Sequence, residues 1–117
     1  YTFTLTNTGG FSASVISETG LAAPFAFLGG AFPGTGGTCT ATLGPAAACT
    51  VVIAFSPIAT GLQSDTMVFS YNNGVTTVSS SRQVTGTGAA PALITISELD
   101  PYDYSNVTVG AVSNHIF

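Results

Sequence analysis

Thr50-Val51-Val52-Ile53-Ala54-Phe55-Ser56-Pro57 and Thr66-Met67-Val68-Phe69-Ser70-Tyr71-Asn72-Asn73-Gly74 are the two stretches that decide the fold class. In the first, Val51, Ile53 and Phe55 recur at every second residue, so they share one face of an extended chain, and Pro57 ends it. In the second, Met67, Phe69 and Tyr71 alternate the same way, and Asn73-Gly74 follows. That dipeptide predicts a two-residue type I′ hairpin, because such a turn needs positive φ at both central positions. A period of two over bulky and β-branched residues predicts strands.

Working outward, the same signal recurs along the chain. Phe3 and Leu5 alternate with Thr2, Thr4 and Thr6 before Asn7-Thr8-Gly9-Gly10 turns the chain. Ala13 and Val15 predict a second short strand ending at Glu18-Thr19-Gly20, and Phe25 with Phe27 a third. Between Leu21 and Gly34 an apolar stretch is broken by Pro24, Gly29, Gly30 and Pro33, which makes it a loop. Beyond Asn73-Gly74, residues 75–78 and 82–85 read as two further short strands. Gly86-Thr87-Gly88-Ala89-Ala90-Pro91 punctuates the end of a body spanning residues 1–88. After it the pattern restarts in Leu93-Ile94-Thr95-Ile96-Ser97, again in Asn106-Val107-Thr108-Val109, and once more in Asn114-His115-Ile116-Phe117. Short strands with turn signals every 8–12 residues and no helical period predict an all-β sandwich.

Composition narrows the function classes. The chain has 117 residues, enough for one core, and only 5% of them are charged, for a net charge of −4. One cation, Arg82, excludes nucleic-acid binding through clustered Lys and Arg. The ordinary apolar share and low charge argue against disorder. No apolar run is long enough to span a bilayer as a helix. Residues 19–64 carry no charged side chain, and a neutral stretch of that length fits a surface partly covered by a neighbour.

Cys39 and Cys49 read as a disulfide in a Ser- and Thr-rich, lysine-free chain of extracellular character, with two buried thiols as the alternative. A zinc site lacks ligands, since a Cys pair with one distant His does not reach four. His115 has no recognisable nucleophile or orienting partner, which leaves it a surface or interface side chain. Arg82 reads as a solvated strand residue. Glu98, Asp100 and Asp103 form the one carboxylate group that could approach calcium, although no Asp-x-Asp-x-Asp-Gly loop is present, so the weaker calcium reading stands against a solvated loop. Asn106-Val107-Thr108 is a glycosylation triplet of low specificity. No cofactor is expected.

Phe3-Thr4-Leu5-Thr6-Asn7-Thr8-Gly9-Gly10, Cys39 to Cys49 with Leu43 and Pro45 between, Cys49 to Pro57, Gly61, and Val84-Thr85-Gly86-Thr87-Gly88 together resemble one family. It is the immunoglobulin-like repeat of the abnormal-spindle/Hydin type, common in bacterial surface proteins labelled "choice-of-anchor D". The resemblance covers nearly the whole chain. It implies an immunoglobulin-like sandwich of seven to eight strands, tandem arrays, a bacterial cell surface and no catalytic activity. In such repeats a segment like Asn106 to Phe117 runs straight into one like Phe3 to Gly10, so the chain reads as one repeat cut out of phase.

Besides an enzyme-accessory or ciliary-type scaffold domain, two function classes follow. The first is a structural repeat or subunit of an extracellular fibre, in which residues 89–117 either fold back onto their own body or, the favoured reading, supply strands to the next copy through Leu93, Ile94, Ile96, Val107, Val109, Ile116 and Phe117. Phe3, Leu5 and Phe32 are expected on the receiving side, with Phe32 packed on an adjacent domain or folded onto its own core. The second is an adhesin-type or carbohydrate-binding module with a glycan or host-surface ligand, for which Tyr71, Tyr102 and Tyr104 are the candidate aromatics.

Overall fold

The computed structural model describes all 117 residues. Seven strands form in chain order: β1 (Thr2–Thr6), β2 (Ala13–Glu18), β3 (Phe25–Phe27), β4 (Thr42–Leu43), β5 (Ala48–Phe55), β6 (Gly61–Asn72) and β7 (Thr77–Gly88). They make two antiparallel sheets, one ordered β1-β5-β3 and one ordered β4-β2-β6-β7. The fold is all-β, a sandwich of a three-stranded and a four-stranded sheet. With the two-residue β4 set aside, β1-β5-β3 and β2-β6-β7 reproduce the B-E-D and C-F-G strand orders of an immunoglobulin-like sandwich. The position that strand A takes in that scheme, beside β1, is a free edge.

The core is where the two alternating patterns meet. Val51 and Ile53 from β5 and Met67 and Phe69 from β6 are buried, joined by Ile16, Phe25, Leu43, Val84 and the two cysteines. Central strands carry these residues because only a strand paired on both sides keeps one whole face under a facing sheet. Cys39 and Cys49 form a disulfide and are themselves core residues. Closing a loop of ten residues' separation contributes about 3 kcal/mol by chain-entropy arithmetic. Two carboxylates hold the loop before β3: Glu18 Oε1 accepts the amides of Gly20, Leu21 and Val68, and Asp65 Oδ2 accepts that of Ala22.

Several expectations are corrected. Residues 75–78 and 82–85 are not two strands; β7 runs unbroken from Thr77 to Gly88 against β6. The Asn73-Gly74 turn is not a two-residue type I′ hairpin. The ladder closes at Asn72 and Thr77, and the Asn73 side-chain oxygen accepts the amides of Val75 and Thr76, so an Asx turn supplies the reversal, with Gly74 at φ 96°. Val15 faces solvent, not the core. A register shift between Ser14 and Ser17 with Val15 at φ 53° turns Ile16 inward in its place.

The end of the chain stands apart from the sandwich. Leu93–Ser97, Asn106–Val109 and Asn114–Phe117 pair with nothing and are not strands in this structure. β7 ends at Gly88, residues 89–117 lead away from the sandwich, and the molecule measures 91 × 21 × 20 Å. The Gly86-Thr87-Gly88 terminus has a packing cause: a Cβ at Gly86 would sit 2.6 Å from the Phe55 ring, and one at Gly88 would strike the Ala59 carbonyl.

Candidate functional site

The sandwich has one open side, bounded by the free edges of β1 and β7. On the first edge the backbone phase is set by two bonds to β5: the Ile53 amide donates to the Tyr1 carbonyl, and the Asn7 amide to the Ala47 carbonyl. In an antiparallel ladder, alternate residues bond to the same neighbour. Tyr1, Phe3, Leu5 and Asn7 therefore bond toward β5, and Thr2, Thr4 and Thr6 aim their N–H and C=O groups outward. Phe3 and Leu5 point their side chains inward and are half-buried.

Between the edges lie two hollows of about 510 and 380 Å³ that share Leu5, Phe69 and Ser80. They form one groove along β1. Its floor is Met67, Phe69 and Tyr71, one wall is Phe3 and Leu5, and the other includes Ser80, Ser81 and Arg82. Ser80 and Arg82 stand opposite Phe69 and Met67 in the β6–β7 register and share the inward phase of buried Val84, yet both are exposed. Over the middle of β7 the groove thus leaves Phe3, Leu5 and Tyr71 half-exposed, while Met67 and Phe69 beneath them stay buried. Of the predicted receiving residues, Phe3 and Leu5 line this groove.

Phe32 does not. Its ring lies 5.5 Å from Phe27 and 6.3 Å from Phe69, packed against the chain's own core. The loop from Leu28 to Gly34 folds back because the Leu28 amide donates to the Val52 carbonyl and the Val52 amide to the Pro33 carbonyl. Gly34, at φ 89°, passes so close to Val52 that a Cβ there would strike the Val52 carbonyl. The neighbouring-domain expectation for Phe32 is therefore corrected to an intramolecular contact.

Residues 89–117 present the opposite character. Leu93, Ile94, Ile96, Val107, Val109, Ile116 and Phe117 are all exposed, Ile94 by 91%. A local cluster orders part of the segment. His115 Nε2 lies 2.9 Å from Glu98 Oε1, and its ring stacks on Tyr102 at 4.3 Å. Phe117 and Tyr104 flank the same Tyr102 ring at 5.4 and 5.0 Å. His115 is thus tied to the segment's own acid and aromatic residues. With Glu98 engaged there and Asp103 accepting the Ser105 amide, Glu98, Asp100 and Asp103 do not converge on one point, and no group of three acidic, His or Cys side chains is arranged to hold a metal. Arg82 makes no ion pair; the Glu98–His115 hydrogen bond is the single contact between acidic and basic side chains in the molecule.

The alternation in the sequence marks the apolar residues of the segment and Phe3 and Leu5. It does not mark Ser80 and Arg82 as groove residues, nor the floor role of Met67, Phe69 and Tyr71. The signal that could have found them is the interruption of the inward apolar phase of β7, where Val78 and Val84 flank polar Ser80 and Arg82. No helix of the molecule is long and apolar enough to cross a membrane. No family model, curated protein or solved structure matches the chain.

Proposed function

We propose that this chain is a non-catalytic structural repeat or subunit of an extracellular fibre or surface protein. Copies join head to tail by strand complementation, residues 89–117 of one copy completing the sandwich of the next. One observation carries the reading. The same molecule has a sandwich with an open groove between two free edges and a 29-residue segment in which Leu93, Ile94, Ile96 and Val109 stand exposed in solvent. An exposed edge beside an apolar surface is a template for another chain, and an added strand gains main-chain bonds along its length and side-chain pockets on one face. Contacts of this head-to-tail kind, when the rotation does not close, build filaments. The buried disulfide accords with an oxidising, extracellular setting.

Sedimentation velocity over a concentration series tests the reading. The expected result is concentration-dependent growth of large species, abolished in an Ile94→Asp/Ile96→Asp variant whose circular dichroism matches the parent. A parent that sediments as a monomer at every concentration would remove the proposal.

A further inference from the structure

We infer that the donated segment divides between the two sheets of the receiving copy: Leu93–Ser97 extends the three-stranded sheet at β1, and Val107–Val109 lies along the free edge of β7, the turn between them crossing the groove beside Arg82. This inference rests on the proposed complementation and names its geometry. The occupant is a second copy of this chain.

Three observations carry it. The first is a match of phase. Both sheets are antiparallel throughout, so an added strand is set antiparallel to β1. Pairing Thr4 with Thr95 then sets Thr2 against Ser97 and Thr6 against Leu93, the three outward-bonding positions of β1. In the same register Phe3 meets Ile96 and Leu5 meets Ile94, so both isoleucines enter the groove while Thr95 and Ser97 join the polar outer face of Thr2, Thr4 and Thr6. The second is a match of number: two free edges face the groove, and the segment has two alternating apolar runs separated by residues 98–106. Val107 and Val109, on one face of the second run, supply cover for the groove at Ser80 and Arg82. Strands that leave one sheet for the other at a bend are an established device of sandwiches. The third is charge. The single Arg or Lys of the chain is Arg82 in the groove wall, and three of its five carboxylates, Glu98, Asp100 and Asp103, lie in the crossover. The Glu98–His115 contact and the stack on Tyr102 hold that crossover in shape before binding, which lowers the ordering cost of docking.

The chain's own segment does not reach this position. Leu93 would have to sit beside Thr6, near Ser80, whereas the segment departs from Gly88. Eight residue steps separate Ser80 from Gly88, about 27 Å, and the five steps from Gly88 to Leu93 span at most about 18 Å.

Mixed single-cysteine variants of the full chain test the assignment. One preparation carries Thr4→Cys and another Thr95→Cys; after mild oxidation of the equal mixture, a non-reducing gel is expected to shift about half of the material, the share that random head-to-tail mixing seats against the partner cysteine, from 11.7 kDa to a two-chain band. Thr108→Cys mixed with Ser79→Cys, Ser81→Cys or Gln83→Cys is expected to crosslink in at least one pairing. The exchanged pairs, Thr4→Cys with Thr108→Cys and Thr95→Cys with Ser81→Cys, are expected to stay at one-chain mass. The native disulfide is buried and does not compete. Assemblies that form while the exchanged pairs crosslink, or while none does, overturn this geometry and leave complementation standing. Monomers without crosslinks overturn both. As an independent arm, Arg82→Glu is expected to raise the concentration needed for assembly several-fold, and an unchanged concentration overturns the placement of the crossover.

Discussion

Val51-Val52-Ile53-Ala54-Phe55 and Leu93-Ile94-Thr95-Ile96-Ser97 are built from the same kinds of residue with the same period, yet one is the centre of a sheet and the other is no strand at all. The first lies in β5, with β1 on one side and β3 on the other, and Val51 is fully buried. The second has no neighbour, and Ile94 and Ile96 stand in solvent. Alternation states which face of an extended chain will be apolar; a partner decides whether the chain becomes a strand. In the proposed complementation, the free edges of β1 and β7 supply the partner that Leu93–Ser97 lacks.

Substitution should split the regions sharply. Ile53→Ala removes a side chain packed between the sheets and is expected to cost 2–5 kcal/mol of the body's unfolding free energy, roughly what such truncations cost in well-packed cores, measured by urea denaturation at concentrations too low for assembly. Removing the disulfide as Cys39→Ser/Cys49→Ser is next, with a loss of about 3 kcal/mol in the same measurement and no change in the segment's exposure to protease. Glu18→Ala leaves the amides of Gly20, Leu21 and Val68 without their acceptor and should cost about 1–3 kcal/mol; a loss below 0.3 kcal/mol, roughly the noise of such comparisons, would show that water replaces the carboxylate. The smallest effect belongs to Ile94→Ala, expected to change the stability of the dilute chain by less than about 0.5 kcal/mol. A cost approaching that of Ile53→Ala would mean the segment already packs on its own body, and the contrast between the regions would break down.

The parts of the fold legible in the sequence are those where pairing on both sides preserves the alternation. Val51, Ile53, Met67 and Phe69 were all readable as inward-facing for that reason. β4 was not, because two residues make no period. The bulge at Val15 inverted the phase expected of β2, and a single left-handed residue leaves no mark on a hydropathy pattern. β7 reads as two strands in the sequence because Ser79-Ser80-Ser81-Arg82 is polar on both faces. That polarity belongs to an edge that faces a groove, and the groove itself joins β1, β6 and β7, which lie far apart along the chain. Phe32 was undecidable from sequence: an apolar loop residue looks the same whether it packs on its own core or on a neighbour, and the bonds to Val52 settle it inward. The apolar faces of residues 93–97 and 107–109 were legible; what covers them depends on chain direction after Gly88, which no local pattern encodes.

Amide hydrogen exchange, followed from dilute chain to assembled material, tests the central claim most directly. The account predicts that the amides of Thr2, Thr4 and Thr6 and those of Leu93, Thr95 and Ser97 exchange freely in the monomer and become protected together as copies associate. Protection of Leu93, Thr95 and Ser97 in the isolated monomer, or assembly that leaves those amides exchanging freely, would contradict it.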